Sequence, residues 1–242
     1  MKVGFSQRVR LEWLEFAANE LTKDQSIEEI LHKLDDVLGQ YLSVNSKSKN
    51  GNRAKALSQI KMIWLTPNKE RINIHEDVLK SFKRSSVKNH LVHHWALSMA
   101  CYPFFTKVAR YTGALIQLQG EAKFSQIQRK LTEEYGDRQT VSRAAQRIVR
   151  CFHDWGVLKD TKFKGVYKMK KKNPMAINTE HQSFLVEGIL YESPNGAKEF
   201  DDLYRDPALF PFQLDGNFSQ LQNKNKRLVI KQNSFNTIMV GL

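Results

Sequence analysis

Between positions 138 and 150 the chain carries Arg138, Gln139, Arg143, Gln146, Arg147 and Arg150, with Thr140 and Ser142 among them. Over the same stretch Val141, Ala145, Ile148 and Phe152 recur at helical spacing. A helix over residues 139–155 that buries those four leaves Gln139, Arg143, Gln146, Arg147 and Arg150 on the opposite face, with Ser142 beside them. Guanidinium and carboxamide groups pair bidentately with guanine and adenine edges. Arg138 and Thr140 fall at the start of this helix, where backbone N–H groups and the helix dipole favour a phosphate oxygen. Downstream come Lys159, Lys162 and Lys164, then Lys168, Lys170, Lys171 and Lys172, compact charges suited to phosphates and unsuited to reading bases. The chemistry this stretch can do is recognition of a polyanion.

Other reactive groupings are less convincing. His90 and His94 share a helix face at i, i+4, with His93 beside them, but no glutamate stands between them as in HExxH and no third ligand follows at a zinc-site spacing. They read as histidines at the polar edge of a packed helix or near phosphate. Cys151 and His153 point apart on a helix and cannot form a thiol–imidazole pair. Glu199, Asp201, Asp202 and Asp206 diverge on a short helical stretch and read as charged surface rather than a metal-dependent nuclease site. GxxxxGK[ST], GxGxxG and GxSxG do not occur. No catalytic residue, metal site or cofactor is expected.

The elements that must position the basic stretch follow from periodicity. Phe124, Ile127, Leu131 and Tyr135 form one apolar helical stripe, Gly136-Asp137-Arg138 breaks it, and the second helix ends near Gly156. Then the period becomes extended, Val157-Leu158 and Phe163 to Met169, a short β-hairpin. Helix, glycine turn, helix and basic hairpin, over roughly residues 88–172, resemble the winged helix-turn-helix superfamily. The resemblance implies that residues 139–155 enter the major groove of duplex DNA while residues 158–169 form a wing on the backbone or minor groove.

Upstream, Val9, Trp13, Phe16 and Ala17 predict a first helix, and Ser26 with Glu29 a capping box before Ile27, Ile30, Leu31, Leu34 and Leu38, the second helix closing near Gly39. Ser43 to Asn52 reads as a polar linker. Helical spacing resumes from Ala54 to Leu65, stopped by Pro67, and again from Val87 to about Leu118, split by Pro103. After Asn173-Pro174 come expected helices near His181–Tyr191 and Lys198–Tyr204, an aromatic loop Pro207–Phe212 read mainly as packing, and strands at Leu228–Ile230 and Thr237–Val240. The expected fold is mainly α: an N-terminal helical domain (1–86), a winged helix-turn-helix domain (87–172) and a small C-terminal α+β part (173–242).

The whole chain of 242 residues carries 38 Lys and Arg against 25 Asp and Glu, a net +13. Residues 1–44 are −3, 45–122 are +9, 123–172 are +9 and 173–242 are −2, so the excess lies between two mildly acidic ends, as a localised anion-binding surface would have it. The aromatic content excludes a mainly disordered chain. Two distant cysteines, Cys101 and Cys151, provide no disulfide framework. The first ten residues are interrupted by Lys2, Arg8 and Arg10, and no run approaches the roughly 18 apolar residues of a membrane span, so a cytoplasmic protein without membrane contact is expected.

A second resemblance rests on organisation. The N-terminal hairpin, Trp95-Ala96-Leu97 running into Tyr102-Pro103-Phe104-Phe105, and Thr140-Val141-Ser142-Arg143 leading to Trp155-Gly156-Val157-Leu158 are similar to the small helical DNA-binding accessory component of BREX-type phage-defence systems. The basic segment Lys47–Lys88 and the C-terminal hairpin depart from that pattern. The expectation is therefore a non-enzymatic duplex-DNA-binding regulator or accessory subunit of a defence complex, meeting other defence proteins or itself through its C-terminal part. The alternatives are an RNA-binding module, for which Phe163 and Tyr167 could stack bases, and an interaction scaffold for an acidic protein.

Overall fold

A computed structural model describes residues 3–42, 51–193, 196–215, 217–232 and 237–242. The chain is mainly helical, with a few small sheets. Helices α1 (Leu11–Leu21) and α2 (Ile27–Gly39) form the expected hairpin. Ser26 accepts from the Glu29 backbone N–H while the Glu29 carboxylate accepts from Ser26, so the capping box is complete, and Ile30, Leu34 and Leu38 are fully buried one turn apart. Residues 43–50, most of the segment read as a linker, lie outside the described residues. The remainder is not linker: Gly51 caps α3 (Asn52–Ile60), which widens into a π-helical turn, Lys61–Leu65, before Pro67.

Helix α4 (Ile72–Arg84) has no counterpart in the sequence reading. Ile74, Val78 and Phe82, four residues apart, are its buried apolar side chains, with Leu79 packed beside them and polar His75 and Ser81 buried on the same helix. Helices α5 (His90–Cys101) and α6 (Pro103–Gln119) are the long run split at Pro103, the proline sitting at the first turn of α6 where its missing N–H costs nothing.

The next elements form a compact unit. After α6 come β1 (Ala122–Lys123), α7 (Phe124–Tyr135), α8 (Gln139–Asp154), β2 (Leu158–Asp160) and β3 (Val166–Met169). The three strands make one antiparallel sheet in the order β1-β3-β2, with Ala122 opposite Tyr167 and Lys159 opposite Lys168. The two residues of β1 are too few to show a period.

Beyond them β4 (Met175–Ala176) pairs in parallel with β6 (Phe212–Gln213). Helix α9 (Thr179–Leu190) is buried on all sides from His181 to Leu190. β5 (Ala197–Glu199) pairs with β8 (Ile238–Gly241), which also pairs with β7 (Val229–Gln232). The helix expected over 198–204 is thus shorter: strand to Glu199, then α10 (Phe200–Tyr204). Helix α11 (Phe218–Lys224), opened by an Asn217–Gln220 capping box, was not anticipated.

One apolar core runs through all three segments of the chain. Trp95 of α5 sits at its centre, stacked on Phe152 of α8 (centroids 4.8 Å apart) and edge-on to Phe105, Phe210 and Phe212, with its indole N–H donating to the Ala208 carbonyl at 3.2 Å. The aromatic loop Pro207–Phe212 is therefore packing, and its rings do not offer an interaction surface. Gly113 makes this possible, since a Cβ there would lie 1.9 Å from the Pro207 carbonyl oxygen. A partly buried ion network ties the C-terminal part to α4 and α9. Arg227 donates to Glu187, which is fully buried, at 2.7 and 2.9 Å, and to Asp77 at 2.6 Å. Among the described residues no helix is long and apolar enough to cross a membrane.

Candidate nucleic-acid interface

Helix α8 begins after a turn that only glycine adopts easily: Gly136 has φ +79° and ψ 163°. Its N–H caps α7 by donating to the Thr132 carbonyl at 2.9 Å. Arg138, the residue preceding α8, gives it no side-chain cap and instead donates from Nε to the Tyr135 carbonyl at 3.1 Å. The first N–H groups of α8 are thus left without a side-chain acceptor, the arrangement a phosphate oxygen complements.

The inward stripe is as read: Val141, Ala145, Ile148 and Phe152 are buried, joined by Ala144, Val149 and Cys151. Opposite them Arg138, Gln139, Thr140, Arg143 and Gln146 are exposed, and Ser142, Arg147 and Arg150 are half-buried. Partial burial, then the neighbouring Arg143 charge, lowers the pKa of Arg147 from its ordinary value. Among the described residues neither Arg143 nor Arg147 has an ion-pair partner, so two guanidiniums repel each other on one face with no protein carboxylate to offset them.

Arg150 differs from the others assigned to this face. Its Nη1 is 3.3 Å from Asp160 on β2, and His153 Nε2 approaches the same carboxylate at 3.1 Å. It braces the helix against the hairpin. Lys168 is similarly engaged, 3.7 Å from Glu121. Lys159, Lys162, Lys164, Lys170, Lys171 and Lys172 are all exposed and, among the described residues, without ion-pair partners.

The hairpin tip, residues 161–165, is ordered by its own bonds. Thr161 Oγ1 accepts from the Phe163 N–H and donates to the Phe163 carbonyl, each at 3.2 Å, and Gly165 (φ +77°) offers its carbonyl to the Phe124 N–H at 2.8 Å. Phe163 is 61% exposed, whereas Tyr167 is buried, so the aromatic pair that could have stacked single-stranded bases is reduced to one ring.

The discounted groupings resolve differently from one another. His90, His93 and His94 are buried around Phe82 and Trp64 rather than lying at a polar edge or near phosphate. Their neighbours on α5 are apolar all round, which gives the helix no polar edge. Glu15 of α1 meets His90 Nδ1 at 2.9 Å and His94 Nε2 at 3.1 Å, while the Trp64 indole donates to His94 Nδ1 at 3.0 Å. Burial opposes the charge on Glu15, but hydrogen bonds from His94 and His90 outweigh it and hold its pKa below the usual range. Burial drives His93 down to about 2. The Cys151 thiol is pushed up to about 12 by burial. Asp206 accepts three contacts from Arg110, between 2.8 and 3.1 Å. Among the described residues no group of three or more His, Cys, Asp or Glu could hold a metal ion.

One feature had no sequence signal. A cleft of about 1080 Å³ opens between α1, the start of α5, the α8–β2 junction and the chain leaving β3. Unpaired Lys88, Lys170 and Lys171 line it above apolar Leu11, Phe16 and Leu91. These residues come from separate stretches that only the tertiary fold brings together. Comparison with models of known protein families, with curated proteins and with solved structures found no match.

Proposed function

We propose that this protein is a non-enzymatic duplex-DNA-binding protein whose α8 enters the major groove while the β2–β3 hairpin lies along the backbone as a wing. The carrying observation is the continuous set of unpaired cations and amides, Arg138, Gln139, Arg143, Gln146 and Arg147, beside the unpaired lysines of the hairpin. The order α6-β1-α7-α8-β2-β3, with the sheet order β1-β3-β2, supports a winged helix-turn-helix. Side chains of two kinds divide the work: planar multi-donor groups on α8 reach base edges, and flexible ammonium groups on the hairpin meet phosphates. Burial of Cys151 and the α5 histidines, and the pairing of Asp206 with Arg110, support a binding rather than a catalytic role. The similarity to the BREX accessory component makes a subunit of a phage-defence complex the setting we favour, with protein partners beside DNA.

The test is a comparison of duplex DNA, duplex RNA and single strands across salt concentration. If about six phosphates are neutralised, duplex-DNA affinity falls on the order of 10³-fold between 50 and 200 mM salt. Binding that ignores salt, is absent at 50 mM, or prefers RNA overturns the proposal.

A further inference from the structure

Turn residues at a solvent-exposed hairpin tip are ordinarily polar or glycine, yet Thr161-Lys162-Phe163-Lys164-Gly165 puts a phenylalanine at the centre of this one. Phe163 is 61% exposed. Its backbone is bound on both sides by the Thr161 hydroxyl, its carbonyl also accepts from the Val166 N–H at 3.2 Å, and Gly165 anchors the tip to the start of α7. The ring is therefore presented on a preorganised turn rather than left out of a core that had no room for it. Lys162 places its ammonium 5.1 Å from the ring centroid, and exposed Lys164 follows Phe163 in the chain.

A ring flanked in sequence by two cations without ion-pair partners among the described residues matches a slot with anionic edges and an apolar interior. The minor groove of duplex DNA is such a slot, about 6 Å wide between two phosphate backbones. Apolar side chains that enter it separate a base step and kink the duplex, typically by about 20–90°. We propose that Phe163 is a wedge: it enters the minor groove beside the α8 contact, partly unstacks one base step and bends the DNA, with Lys162 and Lys164 each holding one bordering phosphate strand. This rests on the duplex-binding reading above and adds a deformation which that reading does not require. Flexible pyrimidine–purine steps such as TA are then the preferred position under the tip, because they unstack at least cost.

The experiment uses the full chain and duplexes of about 25 base pairs carrying a fluorescent donor and acceptor at their ends, some with a TA step under the tip. The wild-type protein raises energy transfer on binding. Phe163→Ala weakens binding about tenfold, abolishes the rise in transfer and leaves the salt slope unchanged, since no charge is lost; Phe163→Leu, which keeps an apolar wedge, retains most of the bend. Circular dichroism confirms that both exposed-site variants are folded. A wild-type complex that binds but leaves the duplex straight overturns the wedge and leaves the duplex-binding proposal standing, as does a Phe163→Ala complex that bends DNA like wild type. Loss confined to single-stranded probes overturns it in favour of base stacking. Failure of the wild type to bind any duplex overturns both proposals.

Discussion

Residues 45–122 and residues 123–172 carry the same net charge, +9 each, and the fold treats their arginines differently. In the first block Arg53 pairs with Asp35, Arg84 with Glu180, Lys107 with Glu134 and Glu192, and Arg110 with Glu192 and Asp206. Apart from Glu134, those carboxylates come from the two acidic ends of the chain. In the second block the pairs that form, such as Arg129 with Glu133 and Lys168 with Glu121, leave Arg138, Arg143, Arg147, Lys159, Lys162 and Lys164 without an ion-pair partner among the described residues. The lesson is that a charge excess marks a partner only where the protein has withheld its own counter-ions. Among the described residues every arginine of the first block has a carboxylate partner, while Arg138, Arg143 and Arg147 of the second have none and remain for an external polyanion.

The largest expected effect comes from breaking the first kind of pairing. Arg110 is mostly buried, and its two carboxylate partners outweigh the burial that would otherwise lower its pKa. Arg110→Ala leaves Glu192 and Asp206 short of a cation, with only Lys107 and Lys198, each at 3.5 Å, to compensate. A loss of about 3 kcal/mol is expected in urea unfolding, with duplex affinity of the folded protein unchanged. Affinity lost without stability would erase the distinction between the blocks.

Next in size is the second block. Arg143→Ala on exposed α8 should leave stability within about 0.5 kcal/mol and cost about 1–3 kcal/mol on a preferred DNA site, less on random sequence. Lys162→Ala with Lys164→Ala should weaken all sequences alike and reduce the salt slope by about two. Equal losses on every sequence for both variants would make α8 a phosphate clamp, and a folded Arg143→Ala protein that binds as wild type would remove α8 from the interface.

How much of this was legible in the sequence follows from the range of the forces involved. The capping box at Ser26, the split at Pro103, the stripe on α8 and the period change after Gly156 are local, and a short window contains each of them. Helix α4 was not legible because its buried face mixes Ile74, Val78, Leu79 and Phe82 with buried polar His75 and Ser81. The side-chain composition of the candidate site was readable, but its electrostatics were not. Arg150 and Arg147 look equivalent on a helical projection, and only the approach of Asp160 from β2 separates them. His90 and His94 are buried against Glu15 and Trp64, and His93 against Ser81 and His181, partners on other helices that sequence proximity does not place near them.

The same contrast extends to histidine. The first block holds His75, His93 and His94, whose pKa values burial lowers from 6.5. Each ring is neutral in the folded chain, so the unfolded chain takes up the proton first as pH falls below 6.5, and stability present above that pH is lost. A ring with a strongly depressed pKa costs on the order of 1 kcal/mol at pH 5.5. Urea midpoints should drop between pH 7.5 and 5.5, and His93→Leu should flatten part of that dependence. Equal midpoints at the two pH values would show that burial does not hold these rings neutral.

The smallest effect is the sharpest control. Arg84 lies in the first block but is mostly exposed, its guanidinium 2.9 Å from Glu180, which also accepts from Ser81 at 3.1 Å. Of the arginines in that block it is the one whose exposure would let it contact DNA, so charge count alone predicts that its loss weakens binding as much as the loss of Arg143. Counter-ion pairing predicts otherwise. A guanidinium already beside a carboxylate must give up that contact before it can neutralise a phosphate, and an exposed pair is worth only about 0–1 kcal/mol to the fold. Arg84→Ala should therefore change urea stability by less than about 1 kcal/mol and leave duplex affinity and its salt slope as in wild type. Glu180→Gln, which frees Arg84 without removing it, should raise non-specific affinity slightly at low salt and not at high salt, where the added charge is screened. If Arg84→Ala lowers the slope by about one, the first block also belongs to the interface, and the division between paired and unpaired arginines fails at the most exposed of the paired ones in that block.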